Sequence, residues 1–460
     1  MPAWSTSHSF LHHTIGSLKN AWSLLAITVL EMPTFVHIDL TKRIRFCTRK
    51  GRQLKEKGVR KRTALTCVLL VVVVSSSWAG GWNNTLMGIR ALGIGAAFVG
   101  IADDPSGIYY NPAGLILQNQ KLNFSVNGVY IMPTHQYTVE NILSARSQKN
   151  TGIPQLFVTY KASERMTLGF GMFVPYAGGG VDWSASDLGQ PMSSHLGVIS
   201  YTPSLSYRVS DKFSLGININ LYRGVFELKA DSDLMMAMET EESGSSLSAS
   251  LGLMYEPSER WRLGLSVRGP AKMTLTGKTL YTVSVPGIGD VRFGSDSETT
   301  FNLPWDIELG FMYKFSDRLI LSTSAQYTMW STLDKVTKTF KDLPGIGDMV
   351  EVEEMNFKDI LIMRVGLEYM IPAGVFLRGG VGLDRAATPP EYLSINNIDV
   401  DKFTLLGGIG YRSGSMEVNF VYIYANGKET ERTSTDFGFP LTEAYNLSAS
   451  IFGLGVTFSF

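Results

Sequence analysis

Beyond residue 120 the chain alternates between apolar and polar positions with a period of two. From Phe301 the odd positions read Phe301, Leu303, Trp305, Ile307, Leu309, Phe311, Tyr313 and Phe315, while Asn302, Asp306, Glu308 and Lys314 fall on even positions. Leu247, Ala249, Leu251, Leu253 and Tyr255 alternate with Ser248, Ser250, Gly252 and Glu256, with Met254 as the exception. Phe213 to Leu221 and Trp261 to Val267 repeat the pattern. Two is the period of an extended strand, whose successive side chains point to opposite faces. Such runs predict fourteen strands, near 121–132, 153–162, 166–176, 196–209, 212–229, 246–257, 260–278, 299–315, 318–330, 359–371, 374–384, 403–412, 415–426 and 446–460. Short connections carry turn chemistry at Lys161–Arg165, Ser210-Asp211, Pro257–Glu259, Ser316-Asp317, Pro372-Ala373 and Ser413-Gly414. Between them lie long connections near 133–152, 177–195, 230–245, 279–298, 331–358, 385–402 and 427–445. An even number of strands with short turns on one side and long loops on the other is the pattern of an all-β transmembrane barrel. A soluble β-sandwich would alternate too, but would not set every long loop on one side.

The end of the chain adds to this picture. Phe452, Leu454, Val456, Phe458 and Phe460 share one face, and Phe460 is the last residue. An apolar alternating strand ending in Phe resembles the signal that the outer-membrane barrel-assembly machinery reads. One short repeat occurs, Pro286-Gly287-Ile288-Gly289-Asp290 and Pro344-Gly345-Ile346-Gly347-Asp348. Both copies fall in long loops, and Pro-Gly favours a turn, so duplicated turn chemistry is the preferred reading.

The N-terminal part is different. Arg60-Lys61-Arg62, an apolar run from Ala64 to Val74 and Ser77-Trp78-Ala79 together make a secretory signal peptide, residues 59–79. The apolar run is shorter than the roughly 20 residues that a spanning helix needs. Residues 1–58 precede it without a clear period and read as a mis-extended leader. Residues 80–120 form a separate segment, and 121–460 the barrel.

Composition narrows the chemistry. The chain has 46 Gly and 24 Phe. Residues 1–79 hold 12 Lys and Arg against 3 Asp and Glu, which leaves 29 against 38 and a net charge of −9 in the remainder. That acidic balance argues against nucleic acid. The cysteines, Cys47 and Cys67, both precede residue 80, and only His135 and His195 lie beyond it. A His- or Cys-based metal centre is therefore excluded there, and neither His has a motif that sets a serine beside it. No catalytic residue and no cofactor is expected.

The segment from 80 to 120 is rich in Gly and Ala, with Arg90-Ala91, Asp103-Asp104 and Asn111-Pro112-Ala113-Gly114-Leu115. Asn is a good helix N-cap and Pro suits the first helical position, so Asn111-Pro112 predicts a short helix start, and Asp104-Pro105 offers the same device. Together with Pro203-Ser204-Leu205-Ser206-Tyr207-Arg208, Tyr255-Glu256-Pro257, Leu303-Pro304-Trp305, Tyr327-Thr328-Met329-Trp330-Ser331 and the strand from Arg378 to Asp384 with Pro389-Pro390 after it, these motifs resemble the outer-membrane fatty-acid and aromatic-hydrocarbon transporters of the FadL/TodX type. The resemblance runs from about residue 85 to 460.

It implies a fourteen-stranded barrel with an N-terminal lumen hatch in the outer membrane of a Gram-negative bacterium. It also implies passive uptake of hydrophobic compounds, with ligand taken up at an outer-loop groove, bound in the lumen and released laterally at a kinked third strand. Gly169 and Gly171 lie on the third strand and suit a kink, or serve curvature alone. By alternation Arg208, Arg262, Arg268, Arg364 and Arg378 face the lumen as candidate cations for a carboxylate. The competing reading, preferred for most of them, is an ion-pair network with Asp306, Glu308, Glu368 and Asp384 that braces the barrel. The expected partners are a hydrophobic small molecule, outer-membrane lipid and the assembly machinery, with the protein a monomer. A structural or adhesive barrel and a general porin are the alternatives; neither needs a Gly/Ala-rich plug.

The Ser77-Trp78-Ala79 end of the apolar run predicts a mature chain beginning at Gly80. N-terminal sequencing of protein taken from outer membranes checks this, and a start within residues 1–59 contradicts it.

Overall fold

In a computed structural model the described residues are 80–460, apart from 187, 189–191, 233–235, 286–288, 344–346 and 436–439. The proposed leader and signal peptide, and the first three residues of each Pro-Gly-Ile-Gly-Asp repeat, lie outside them. The strands are β1 (Leu122–Val139), β2 (Leu143–Ser147), β3 (Thr151–Ser163), β4 (Met166–Asp182), β5 (Met192–Ser210), β6 (Phe213–Ser232) and β7 (Met236–Ser258). Then follow β8 (Trp261–Arg268), β9 (Ala271–Val285), β10 (Gly289–Leu303), β11 (Asp306–Ser316), β12 (Leu319–Thr328), β13 (Lys335–Leu343) and β14 (Gly347–Glu354). The last are β15 (Ile360–Ile371), β16 (Val375–Asp384), β17 (Lys402–Ser413), β18 (Met416–Gly427), β19 (Thr430–Ser434) and β20 (Leu441–Ser459).

These segments make a closed antiparallel barrel of fourteen wall strands. The segments β8 and β9 are one wall strand interrupted at Gly269-Pro270, and β10 and β11 are another interrupted at Pro304-Trp305. The segments β2, β13, β14 and β19 belong to the loop side. Closure comes from β20 pairing with β1 from Asn123↔Ser459 to Val139↔Glu443. Phe460 extends it: its N–H donates to the Leu122 carbonyl (2.8 Å) and its carbonyl accepts from Leu122 N–H (3.0 Å).

The faces follow the alternation, inverted relative to a soluble protein. On β6, Leu215, Ile217, Ile219 and Leu221 are exposed, whereas Ser214, Asn218 and Asn220 are buried. That distribution fits a wall with lipid outside and a filled interior. Met254, the exception in the β7 pattern, is buried against the lumen core. One expectation fails. Phe301 and Leu303 do not share the outer face of Trp305 and Leu309; both are buried inside, whereas Trp305 and Leu309 are exposed. The interruption at Pro304 is the reason. Proline cannot donate to the ladder, and the break there resets which parity faces inward.

Four of the tight turns share one device. Ser163, Ser210, Ser258 and Ser316 each accept, through Oγ, the backbone N–H two residues on, at 3.3–3.4 Å. In the loops, Gly289 pairs with Val285 and Gly347 with Leu343, with φ of 95° and 82°. The fourth residue of each repeat is thus a glycine whose backbone closes a hairpin loop, in keeping with duplicated turn chemistry.

The interior is occupied by residues 80–118, with helix α1 (Ile89–Gly93), helix α2 (Gly107–Tyr110) and a 3-10 helix (Pro112–Leu117). Their polar contacts reach walls all around: Ser322 donates to Ala97 O (2.5 Å), Ser206 and Ser214 to Ala113 O (3.0 and 2.9 Å) and Asn218 to Ile108 O (2.7 Å). The backbone of this hatch lies directly on the wall. A Cβ at Gly310 would collide with Gly100 N and Val99, and one at Gly366 with the Ile94 carbonyl. Gly310→Val therefore overpacks the contact, at about 1–3 kcal/mol. Expected is a barrel that still migrates heat-modifiably, with a displaced hatch that admits small polar solutes. Unchanged permeability contradicts the hatch as the seal.

Candidate functional site

Besides the wall hydroxyls and amides, a cap and an ion network hold the hatch. Asn111, fully buried, accepts from Ala113 N–H (3.1 Å) and starts the 3-10 helix with Pro112 at its first turn. Its amide donates to Val99 O (3.1 Å) within the hatch and to Leu253 O (3.0 Å) on β7. One side chain therefore caps the helix and ties it to the wall. Ala113, Gly114 and Leu115 are buried behind it. The Asp104-Pro105 device is present in altered form: Asp104 accepts from the N–H and Oγ of Ser106 (2.8 and 2.6 Å) just before α2.

Arg90, which was not among the expected site residues, lies at the centre of the charges. It pairs with Asp103 (2.6 Å) in the hatch and with Glu368 (3.1 Å) on β15. Glu368 also pairs with Arg378 (2.6 Å), which reaches Glu417 (3.1 Å). Arg262 bridges Asp103 (3.4 Å) and Glu256 (2.9 Å). Burial raises the Asp103 carboxyl, but Arg90 and Arg262 outweigh it and hold it below the usual carboxylate range. Asp104 goes the other way, because burial outweighs Arg90 and Ser106. Among the sequence signals, the Arg90-Ala91 and Asp103-Asp104 motifs pointed here, and parity placed Arg262, Glu368 and Arg378 in the same lumen.

The other candidate arginines are similarly engaged. Arg364 pairs with Asp384 (2.9 Å) and donates to Thr85 Oγ1 (3.2 Å); Arg268 pairs with Asp306 (3.4 Å) and lies 4.6 Å from the Tyr109 ring centroid. Arg208 reaches the Ile116 carbonyl at 3.4 Å. Four of the five thus sit on carboxylates, as a bracing network would have them.

Between hatch and loops the lumen turns apolar. Tyr176, Leu196, Tyr222, Met273, Phe301 and Trp330 are buried in one cluster, with Trp82 packed on it. Trp82 meets Phe301 edge to face at 5.4 Å, and Trp330 donates to Gly80 O (3.1 Å). A cavity of about 90 Å³ borders Trp82, Leu196, Phe226 and Phe301 on one side and Lys338, Glu353 and Asn397 on another. A second apolar cluster sits on the outer hairpins, where Tyr281 stacks on Phe293 at 5.1 Å beside Met236, Met238, Phe340 and Met349.

The third wall strand is irregular, but not at Gly169 and Gly171. Pairing through both is continuous, Gly169 with Thr159 and Ser204, Gly171 with Phe157 and Thr202. What they permit is the close approach of Ile108 from the hatch: a Cβ at either glycine would lie about 3.1 Å from its side chain. The register shifts instead between Phe173 and Tyr176, at Val174-Pro175, and again between Gly179 and Val181. Pairing of β3 with β4 ends at Leu156↔Met172, and Thr151–Gln155 pair only with β1. Hatch residues fill in at this place: Asn84 bonds the carbonyls of Pro175 (2.9 Å) and Val174 (2.7 Å), and Ala177 N–H donates to Trp82 O (2.9 Å).

A closed barrel with a lipid-facing apolar wall and a plugged, partly apolar lumen defines an outer-membrane transport protein rather than an open pore or an enzyme. The profile of the family described as outer membrane protein transport protein (OMPP1/FadL/TodX) matches residues 70–460, and the chain belongs to that family, whose members carry hydrophobic compounds across the outer membrane of Gram-negative bacteria. Outer membrane protein P1 of Haemophilus influenzae is 23% identical over 452 residues, covering 83% of this chain and 96% of its own. The 47 kDa outer membrane protein of Pasteurella multocida is 25% identical over 441 residues, covering 87% and 98%. A FadL homologue from Pseudomonas aeruginosa superimposes with a TM-score of 0.69 at 18% identity, covering 84% of this chain and 99% of its own. The toluene transporter TodX of P. putida gives 0.65 at 16%, covering 77% and 94%. These structural likenesses speak for the fold.

Replacing Asn111 by Ala removes the cap and the tie to Leu253, and should destabilise the hatch by about 1 kcal/mol. Hydrogen exchange in residues 98–117 should rise while the wall strands stay protected. Equal protection in both proteins contradicts this role for Asn111.

Proposed function

We propose that this protein takes up hydrophobic compounds such as long-chain fatty acids or aromatic hydrocarbons passively. Ligand collects on the Met- and aromatic-rich outer cluster, enters the apolar chamber above the hatch, and leaves sideways between β3 and β4. The observation that carries this reading is the apolar cluster of Trp82, Phe301 and Trp330 inside a barrel otherwise lined by polar groups, beside the place where the wall ladder stops. Apolar clefts with few polar groups are where hydrophobic ligands bind. The hatch segment 82–84 bonds to the irregular strand, so a shift of the hatch and an opening of the wall would be coupled. In the same reading residues 80–120 act as the gate, the chain works as a monomer, and Phe460 engages the assembly machinery while completing the closing strand.

Val174 and Pro175 face a single partner residue, Ile199, so β4 carries one residue in excess at this first slip. Deleting Pro175 restores the count there. Uptake of a labelled long-chain fatty acid and of toluene, measured in cells at matched barrel levels, should fall to the level of cells without the protein. Undiminished uptake by the deletion variant contradicts lateral release. Equal uptake with and without the wild-type protein contradicts the transport reading.

A further inference from the structure

The lipid-facing wall is not evenly clad. On β12 the outward row shortens to Thr323 and Ala325, and its neighbours are large: Ala325 stands between Leu309 of β11 and Met363 of β15, Thr323 between Phe311 and Val365. Leu309, Met363 and Val365 are exposed, whereas Thr323 and Ala325 lie half-buried between them. The result is a groove of about 570 Å³ on the outer surface, continued across β8 to Leu253 and Tyr255 of β7. Clefts that hold a small molecule have such volumes, roughly 300–1,000 Å³. None of the lining belongs to β3 or β4, so the groove is separate from the proposed exit.

The surroundings fix its occupant. Exposed aromatic side chains mark both ends of the neighbouring strands, Tyr255, Phe315 and Tyr369 towards the tight turns, Trp305 and Tyr327 towards the loops. Aromatic girdles mark the two interfaces of a membrane barrel in this way, with the short turns on the periplasmic side. Between the girdles the medium is hydrocarbon. Ala325 follows Arg318 by seven residues, and Leu253 precedes Arg260 by seven. At about 3.3 Å per residue and a strand tilt of about 40° that is roughly 18 Å along the membrane normal, comparable to one leaflet of a bilayer whose hydrocarbon core is ~30 Å thick. The groove therefore runs from the tight turns to mid-membrane, the path of an acyl chain in the periplasmic leaflet.

The turns at its foot carry the charge for a headgroup. Ser258-Glu259-Arg260 and Ser316-Asp317-Arg318 repeat one order, and in each the serine Oγ accepts the N–H of the arginine (3.3 Å). The two turns are neighbours, since Lys314 N–H donates to the Arg260 carbonyl (2.7 Å). Both arginines are exposed, and among the described residues neither joins an ion pair. The carboxylates beside them are Glu259 and Asp317, and Asp317 is paired with Lys314 (3.2 Å). Glu259 is thus left against two arginines. Basic residues at a membrane surface attract lipid phosphate.

We propose that this face holds one phospholipid of the periplasmic leaflet, with an acyl chain along Thr323 and Ala325 and its phosphate at Arg260 and Arg318. Packing retains the chain, because moving from lipid to a protein groove brings no hydrophobic gain. The phosphate adds the charge contact. The site is independent of the transport reading.

The test is native mass spectrometry of the purified full barrel with three probes: palmitoyl-oleoyl phosphatidylethanolamine, the diacylglycerol of the same chains, and lipid A for the outer leaflet. One phospholipid should remain bound after activation strips the rest, and the diacylglycerol should be held less firmly. Arg260→Gln/Arg318→Gln should lower phospholipid retention to that of the diacylglycerol, about five-fold for each arginine. Thr323→Leu/Ala325→Leu fills the groove and leaves the turns intact; it should abolish the preferential retention while heat-modifiable migration is unchanged. A phospholipid held as firmly by the filled barrel, a diacylglycerol held as firmly as the phospholipid, retention that survives loss of both arginines, preference for lipid A, or no retained lipid at all overturns the assignment. None of these outcomes touches the transport reading, which stands or falls by uptake.

Discussion

In hydrocarbon an unpaired peptide N–H or carbonyl has no water to turn to, so a strand can cross a bilayer only if both its edges are paired. For this chain the requirement is met by β20 returning to β1, down to the mutual hydrogen bonds of Leu122 and Phe460. Much else follows from that closure. Every wall strand has one face to lipid and one to the interior, which is why Leu215 and Ile217 are exposed while Asn218 is buried. A barrel of fourteen strands encloses more space than its own side chains fill, and the interior has to be occupied or left as a channel.

Residues 80–118 occupy it, and the wall is shaped for them. Close backbone contact at Gly310 and Gly366 brings hatch peptide groups within reach of wall hydroxyls such as Ser322 and Ser206, so the buried polar groups of a largely non-helical segment find partners. The charges are arranged in the same spirit. Arg90 and Asp103 belong to the hatch, Glu368, Arg378 and Arg262 to the wall, and each of these charges meets an opposite one. The lumen thus holds a fixed ion-pair scaffold and, around Trp82, Phe301 and Trp330, an apolar cluster. Where β4 parts from β3, hatch residues 82–84 supply the missing hydrogen-bond partners, so plug and wall are interlocked at a strand whose register slips twice.

Much of this was legible in the sequence because local chemistry dictates it. Alternation marks strands, Ser-Asp and Ser-Gly pairs mark tight turns, and Asn111-Pro112 announces its own cap. The failures occur where tertiary context overrides a local pattern. Phe301 and Leu303 continue the apolar parity of Trp305 and Leu309, yet the interruption at Pro304 turns them inward, and no alternation rule contains that reversal. Gly169 and Gly171 suited either a kink or mere curvature, because glycine permits both; in the fold they make room for Ile108, and the slip falls at Val174-Pro175. Parity placed both the arginines and the carboxylates Asp306, Glu368 and Asp384 in the lumen, but did not tell which pairs with which, because Arg268 and Asp306 lie on different strands, and it could not find Arg90, which lies on a segment with no strand period at all.

The central claim is that the chamber between hatch and loops receives a hydrophobic molecule. Diffraction from crystals of the purified barrel soaked with a brominated aromatic probe tests it directly, since the bromine anomalous signal reports position without interpretation of weak density. The expected result is a peak inside the lumen beside Phe301 and Trp330. Bromine found only on the lipid-facing wall, with the lumen empty of it, contradicts the claim.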